Sequence, residues 1–159
     1  MNALQKQLVP VRGGKPGPAG VTLSLLTGFR LTQIAAWPET LAAAAAGCQT
    51  APAQGGCTCA VPDISSARTL MQVSGPQAPV LLNPFLPQDL RPSAFPAGCA
   101  TSTAFHHVGV TLWRTNAGFT LALPSSFAAS LRELLEGSAL QYGLKTRETP
   151  FIPAEGELE

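Results

Sequence analysis

Residues 107–136, HVGVTLWRTNAGFTLALPSSFAASLRELLE, contain the pattern that decides the fold class. Apolar residues alternate with others over 107–114, which predicts a strand with one buried face. The run Thr-Asn-Ala-Gly at 115–118 predicts a hairpin turn, and residues 119–123 then form the partner strand. The residues predicted to face inward are Val108, Val110, Leu112, Phe119, Leu121 and Leu123.

A helix is predicted directly after this hairpin, over residues 126–136, with Gly137 as its end. Its apolar residues fall on one helical face, namely Phe127, Leu131, Leu134 and Leu135. Antiparallel strands followed by a helix indicate an α+β fold, with antiparallel or mixed sheets and helices on one face.

The N-terminal part of the chain follows a similar order. Residues 21–26 and 29–36 read as two strands around a turn at Thr27-Gly28. Trp37-Pro38-Glu39-Thr40 then opens an alanine-rich helix, because proline suits the first helical position. Residues 48–62, with their glycines and three of the four cysteines, are predicted to form a loop.

The middle of the chain predicts shorter elements. A strand is predicted over 69–73, and Ser74 is expected to cap a short helix over 75–82. A proline-rich connection at 84–97 leads to another short strand over 100–104.

The charges divide the chain into three parts: a flexible arm at 1–20, a domain at 21–144 and an acidic tail at 145–159. The two ends hold 9 of the 19 charged side chains, which leaves 10 for the 124 residues between them. A small soluble domain ordinarily carries a densely charged surface. We therefore expect the domain to cover part of its surface with a partner.

Several classes of protein are disfavoured by composition. No apolar run reaches the roughly 18 residues of a membrane helix, and residues 1–20 lack the apolar core of a signal peptide. Cytoplasmic localisation with reduced cysteines is therefore expected. The net charge of +1, without a basic cluster, argues against nucleic-acid binding.

No Gly-x-Gly-x-x-Gly or phosphate-loop pattern occurs in the sequence. Gly13-Gly14 has no strand before it and so does not form a phosphate-binding turn. We predict no catalytic or cofactor-binding residue in this chain.

The cysteines are the candidate metal ligands. Four thiols match the ligand number of a structural zinc site, but a single residue separates Cys57 from Cys59 where two are usual. Reduced cysteines in a loop and a core are the alternative. The candidates are Cys48, Cys57, Cys59 and Cys99, with His106 and His107 as substitute ligands.

A nucleophilic pair of Cys99 with His106 or His107 is a further hypothesis, which requires hydrogen-bond contact between the two side chains. Structural histidines are the simpler interpretation. The carboxylates in the body do not form an evident acid–base pair, and we interpret them as surface charges. They are Asp63, Asp89, Glu133 and Glu136.

Six stretches resemble the gamma-subunit family of heterotetrameric sarcosine oxidases. They are FRLTQIAAWP (29–38), VSGPQA (73–78), LPQDLRPSAF (86–95), PAGCA (96–100), VTLWR (110–114) and FTLALPSSFAASL (119–131). Their order along the chain is more specific than any one of them. Two positions depart from the family: it tends to have an arginine at Ser125 and an aromatic residue at Arg132.

The resemblance implies a complex with alpha, beta and delta subunits. FAD, FMN, NAD and tetrahydrofolate are then held by the other subunits, and none by this chain. It also implies a fold like part of the aminomethyltransferase (glycine-cleavage T-protein) fold, packed on the folate-binding part of alpha. Such a complex oxidatively demethylates an N-methyl amino acid and passes the one-carbon unit to tetrahydrofolate.

Three alternatives stay open at this point. The same subunit plan occurs in N-methylglutamate dehydrogenase, so the resemblance does not specify the substrate. A free-standing folate-binding domain is a second alternative, although 159 residues supply only a fraction of that fold. A metal-binding module built on the four cysteines is the third.

Overall fold

A six-stranded mixed sheet forms the centre of the computed structural model, which describes residues 18–36, 59–60 and 62–151. The six strands of this sheet are β1 (Val21–Thr27), β4 (Arg68–Ser74), β5 (Ala100–Phe105), β6 (Val108–Thr115), β7 (Gly118–Pro124) and β8 (Leu144–Pro150). Two further short strands, β2 (Ala35–Ala36) and β3 (Cys59–Ala60), pair with each other in a separate sheet. The order across the sheet is β5-β6-β7-β4-β1-β8. Neighbouring strands are antiparallel except for β1 and β8, which run parallel.

The predicted hairpin is confirmed in β6 and β7, which Thr115 and Gly118 join across a two-residue loop. The six residues predicted to face inward are all buried. Gly118 has φ of 139°, and a Cβ there would collide with the carbonyl oxygen of Val73 on β4. Glycine at this position therefore allows the hairpin to approach the neighbouring strand closely.

Among the described residues, two α-helices and two short 3₁₀ helices accompany the sheet. They are α1 (Ala78–Leu82), α2 (Ser125–Ala139), and the 3₁₀ turns Ser65–Ala67 and Leu140–Tyr142. The buried residues of α1 and α2 belong to one cluster with apolar side chains of the sheet, such as Leu23, Met71 and Val73. The α+β class, a mixed sheet with helices on one face, is thus confirmed.

The predicted end of the last helix is wrong, because α2 continues through Gly137 to Ala139. Ala139 is fully buried, and its packing offsets a helical glycine cost of roughly 1 kcal/mol. The predicted apolar face is also only partly correct. Leu131, Leu135 and Ala139, four residues apart, form the buried stripe, whereas Phe127 and Leu134 are 46% and 37% exposed.

Helix α1 is shorter than the helix predicted over 75–82, and Ser74 does not cap it. It begins at Ala78, and no side-chain cap hydrogen bond is present. Gly75 has φ of 109°, which a helix does not contain. Residues 75–77 form a turn instead, in which the Gln77 amide donates to the carbonyl of Gly20 at 3.1 Å.

The second strand predicted over 29–36 is also wrong, since only Ala35–Ala36 is a strand there, paired with Cys59–Ala60. Residues before it bond to the turn that precedes β4: the Leu31 amide donates to Ser65 Oγ at 2.8 Å, and the Ile64 amide donates to the Leu31 carbonyl at 2.8 Å. The predicted helix after Trp37 and most of the cysteine loop lie outside the described residues.

Residues 144–150 of the chain form a strand of the sheet, β8, so the sheet extends past the predicted domain boundary at Leu144. Residues 1–17 and 152–159 lie outside the described residues, and the division into arm, domain and tail stays a prediction. Within the described part of the chain, no helix is long and apolar enough to cross a membrane.

The sheet presents two different faces. The helix-side face contributes alternate strand residues, including Met71, Val73 and Leu121, to the main core. The far face carries a smaller cluster of Leu26, Leu70 and Ala122, against which Phe29, Trp113 and Phe151 pack. Two buried polar residues, Ser24 and Thr120, also lie on the far face, because they alternate with core residues of β1 and β7.

Candidate functional site

The structure does not describe all four cysteine side chains, so it does not show whether they lie together. Cys48 and Cys57 lie outside the described residues, and only the backbone of Cys59 is described, in β3. Cys99 is half-buried and packs against the main core. No group of three or more His, Cys, Asp or Glu side chains that could hold a metal occurs among the described residues. The metal hypothesis therefore stays a prediction.

The hypothesis of a nucleophilic Cys99–histidine pair is wrong. Cys99 lies before β5, whereas His106 and His107 form the two-residue loop after it. Six strand residues separate them, and at about 3.3 Å per residue the two ends lie roughly 20 Å apart. Both histidines are exposed, and the His106 ring lies edge-on to Phe85, with centroids 5.3 Å apart.

Three of the four carboxylates of the body form exposed or partly exposed pairs with arginines. Asp63 pairs with Arg30 at 3.4 Å, Asp89 with Arg91 at 2.6 Å, and Glu136 with Arg132 at 2.7 Å. Glu133 is exposed on α2. The interpretation of these groups as surface charges fits their geometry, because no two of them share a site or a partner.

Hydrogen bonds to the ionised form lower two of the carboxylate pKa values. The Arg91 side chain and amide hold the pKa of Asp89 at about 2. The Ser65 hydroxyl and amide, with a smaller contribution from Arg30, lower the pKa of Asp63. Both carboxylates are therefore ionised at neutral pH and act as hydrogen-bond acceptors in their turns.

The proline-rich segment 83–99 covers part of the helix-side face and is held there by Arg114. One guanidinium nitrogen of Arg114 donates to the carbonyl oxygens of Leu90 and Phe95, both at 3.0 Å. Its guanidinium also lies 5.1 Å from the ring centroid of Phe119. Leu86, Leu90 and Phe95 are thereby buried in the main core. Arg114 therefore has a structural role. The sequence did not predict this role, because Arg114 appeared there only as the last residue of the stretch VTLWR.

The two departures from the family pattern occupy ordinary surface positions. The Ser125 hydroxyl donates to the carbonyl of Ser66 at 2.9 Å, which ties the start of α2 to the turn before β4. Arg132 pairs with Glu136 one helical turn later. Both side chains therefore have local partners of their own.

A partly buried hydrogen bond on the far face was missed by sequence reasoning. Ser24 is fully buried in the middle of β1, and Arg147 Nε of β8 donates to its hydroxyl at 2.8 Å. The available signal was the serine itself, which interrupts the apolar run VTLSLLT. Because charged residues are common in tails, Arg147 gave no sign that it belongs to a strand.

Two cavities of the described residues differ in size and in how open they are. A cavity between α2 and the β1–β8 edge, lined by Met71, Arg132 and Thr146 among others, measures about 10 Å³, which is room for about one water molecule. The outer side of α2 forms a depression of about 450 Å³ around Ser130, Leu134 and Gly137, which is widely open to solvent. Val80, Phe127, Leu134 and Leu140 are the large exposed apolar residues of the described chain.

Trp113 is half-buried on the far face, where it packs against the cluster of Leu26, Leu70 and Ala122. Trp37 lies outside the described residues.

The geometry therefore defines a class: a small two-layer α+β domain whose described polar groups hold turns and strands in place. The chain is similar to three curated relatives, and all three are named sarcosine oxidase subunit gamma. No family model matches the sequence.

The relative from Arthrobacter sp is 38% identical over 65 residues, which are 41% of this chain and 32% of that protein. The relative from Corynebacterium sp. strain P-1 is 39% identical over 62 residues, 39% of this chain and 30% of the other. The third, from Corynebacterium sp. strain U-96, is 38% identical over 53 residues, 33% of this chain and 26% of the other. The chain thus matches about a third of the length of these relatives, and the resemblance to gamma subunits is confirmed over that part.

A solved structure is also similar: a chain of the heterotetrameric sarcosine oxidase from Corynebacterium sp. U-96 in complex with pyrrole 2-carboxylate. The sequence identity is 28% and the TM-score 0.49, over 64% of this chain and 50% of that one.

Proposed function

We propose that this chain is the gamma-type subunit of a flavin-dependent sarcosine oxidase-like complex. The observation that carries the proposal is the 38% identity over 65 residues with a sarcosine oxidase gamma subunit, in a chain whose body holds only 10 charges in 124 residues. The complex oxidatively demethylates an N-methyl amino acid, and the one-carbon unit passes to tetrahydrofolate. Its other members are alpha, beta and delta subunits. Cytoplasmic localisation is part of this proposal.

Within that complex the chain itself is non-catalytic. The support is the wide spacing of its described reactive groups. Cys99 lies at the far end of β5 from the histidines, and Asp63, Asp89 and Glu136 are engaged with separate arginines. FAD, FMN, NAD and tetrahydrofolate belong to the other subunits in this proposal. The role of the chain is to support the folate-binding part of alpha through a fold related to the aminomethyltransferase.

In this proposal the outer side of α2 is part of the surface that alpha covers. Phe127, Leu134 and Leu140 expose 46%, 37% and 41% of their surface within a short stretch of helix and turn. Obligate interfaces are more apolar than ordinary protein surface. Burial of these side chains by alpha would remove apolar area from water on both partners.

The test is co-expression with the alpha, beta and delta subunits of the same organism. We expect the chain to co-purify in stoichiometric amount, the complex to show flavin absorbance, and the lone chain to be colourless. Omission of the chain should lower the yield or stability of alpha, while the rate of anaerobic flavin reduction by sarcosine in the surviving alpha–beta pair stays within a few-fold. Phe127→Lys should weaken co-purification, and Asn116→Lys, at an exposed position in the β6–β7 loop, serves as the matched surface control.

Two results would contradict the proposal. A stable complex that loses flavin reduction when the chain is omitted would place the chain in the active site. Failure to co-purify with any of the three subunits would remove it from the complex. Two further measurements address the alternatives. Comparison of the rates of flavin reduction by sarcosine and by N-methylglutamate decides between the oxidase and the related dehydrogenase. Replacement of Cys57 and Cys59 by serine, followed by measurement of metal content and turnover, tests the metal alternative.

A further inference from the structure

The far face of the sheet presents positive charge. Arg68 lies two residues before Leu70 of the far-face cluster, so both side chains are on this face. Lys145 and Arg147 alternate with the core residue Leu144 on β8 and therefore lie on the far face too. No aspartate or glutamate occupies a far-face position on the six described strands of the sheet. The charge of this face therefore favours an acidic occupant.

The three cations are available to such an occupant. With the described residues, none of them forms an ion pair. Arg147 is exposed, and its Nε donates to the buried Ser24 hydroxyl at 2.8 Å, which holds the side chain across β1. Its two terminal nitrogens make no hydrogen bond with the described residues. Because a guanidinium can donate two parallel hydrogen bonds to one carboxylate, Arg147 is oriented for a bidentate pair.

The chain itself passes onto the far face at the end of β8. The Phe151 amide donates to the Thr27 carbonyl at 2.8 Å, and Phe151 packs against the small apolar cluster of the far face. Both described α-helices, by contrast, pack on the opposite face. The segment that follows Phe151 therefore starts beside the positive face.

The charge of that segment is opposite to the charge of the far face. Residues 152–159, IPAEGELE, contain Glu155, Glu157 and Glu159 and no basic residue. β1 and β8 end where the antiparallel strand β4 begins, so Phe151 and Arg68 lie near the same end of the sheet, two strands apart. Two strand spacings are about 10 Å, and four extended residues span about 13 Å. Glu155 can therefore reach Arg68.

We propose that segment 152–159 folds back over the far face and that its glutamates bind Arg68 and Arg147. Glu155 lies beside Arg68 in this arrangement, and the two later glutamates lie toward Arg147. Lys145, on the same strand as Arg147, adds to the positive field. The proposal depends on residues of this chain alone and so does not rest on the proposed function.

The covalent connection at Phe151 makes weak ion pairs sufficient. Exposed ion pairs contribute little when the partners are separate molecules, and salt screens them. A short tether, however, gives the segment a high effective concentration at the face. A far face that is covered in this way leaves the helix layer, including the outer side of α2, as the surface open to a partner.

Carbodiimide coupling tests the contact on the full chain, because the reagent joins a carboxylate to a lysine amine only where the two groups meet. Arg68→Lys and Arg147→Lys keep the positive charge and introduce the amine. Peptide mass spectrometry should find the glutamates of segment 152–159 linked to the lysine introduced in each variant. A mixture of isotope-labelled and unlabelled chain should show that the links form within one chain.

Arg132→Lys is the matched control on the helix layer. Arg132 pairs with Glu136 at 2.7 Å, so the introduced lysine should couple to Glu136 and not to segment 152–159. Coupling on the far face should also fall several-fold when the salt concentration rises from about 0.01 M to about 1 M, where the Debye length is only about 3 Å.

Three results would overturn the proposal. They are equal coupling of segment 152–159 to positions 68 and 132, links only between labelled and unlabelled chains, and no link at positions 68 and 147. The coupling is to be repeated on the chain co-expressed with alpha, beta and delta subunits, which keeps the test valid if the lone chain precipitates. If the introduced lysines then couple to another subunit, the far face belongs to that subunit and the proposal fails. Co-purification reports on the proposed function separately, so either proposal can fail without the other.

Discussion

The two faces of the central sheet are built differently from alternate residues of the same strands. On β4, Met71 and Val73 enter the main core beneath the helices, whereas Leu70 between them joins the small cluster on the far face. The buried residues of the helix-side face are apolar, while the far face buries the hydroxyls of Ser24 and Thr120. The helix-side face therefore supplies most of the hydrophobic stabilisation, and the far face adds directional contacts.

The hydrogen bond on the far face helps to fix the register of the strands. Apolar side chains stabilise a strand in more than one register if their number stays the same, but a hydrogen bond between two side chains is satisfied in one register only. The bond from Arg147 to Ser24 joins residues opposite each other in the β1–β8 pairing. It thus specifies how the charged strand β8 aligns with the buried strand β1.

The largest effect is expected from the helix-side face. Leu121 is fully buried in β7, so Leu121→Ala leaves a cavity in the main core and should lower the free energy of unfolding by about 2–5 kcal/mol. Leu134→Ala is the matched control, because the same atoms are removed from a side chain that is 37% exposed, and about 0.5 kcal/mol is expected. Urea denaturation followed by circular dichroism measures the free energy of unfolding of both variants. Equal losses would contradict the prediction that the buried Leu121 stabilises the fold more than the exposed Leu134.

Local patterns in the sequence predicted the last part of the fold well. The hairpin of β6 and β7 and the helix after it depend on a turn and on apolar periodicity within about thirty residues. Strand β8 could not be predicted in the same way. Its partner β1 lies more than 100 residues away, as the 123-residue separation of Ser24 and Arg147 illustrates, and its charges are typical of a tail.

Residues 29–34 illustrate the opposite error. Their alternating pattern predicts a strand, but Leu31 bonds to Ser65 rather than to a sheet, and sequence periodicity does not identify the bonding partner. The candidate site was limited for a similar reason. The histidines and Cys99 are close in sequence, yet the intervening strand β5 holds them at its two ends. The structural role of Arg114 likewise depends on carbonyl groups 19 and 24 residues away.

A smaller effect is expected from the far face. Ser24→Ala removes the acceptor for Arg147 and should cost about 1 kcal/mol of unfolding free energy. Arg147→Met should cost a similar amount, and the double variant should cost less than the sum, since both changes remove one bond. Hydrogen exchange of the β8 amides should quicken in each variant. Additive losses, or exchange that is unchanged in β8, would show that the bond does not hold this strand.

Thr22→Ala provides the control for that cycle. Thr22 lies on the same strand and the same face as Ser24, and it makes no side-chain hydrogen bond with the described residues. Its replacement should leave the exchange of β8 close to that of the parent chain.

The smallest effect is expected in the proline-rich segment 83–99, which covers part of the helix-side face. This effect depends on pH. The hydrogen bonds from Arg91 hold the folded pKa of Asp89 at about 2, below the unfolded value of about 3.9. A lowered folded pKa means that the ionised carboxylate stabilises the folded state above the unfolded pKa, and that this contribution disappears as the pH falls from about 4 to about 2.

Asp89→Asn should therefore make the acid-induced loss of stability shallower between pH 4 and pH 2, with a small difference at neutral pH because the pair is exposed to solvent. Glu133→Gln removes an exposed carboxylate that forms no ion pair with the described residues, and it should leave the slope in this range nearly unchanged. Melting temperatures measured at intervals of pH provide the comparison. If both variants follow the parent curve, the Asp89–Arg91 pair contributes nothing to the cover of the helix-side face, and that cover depends on Arg114 and apolar packing alone.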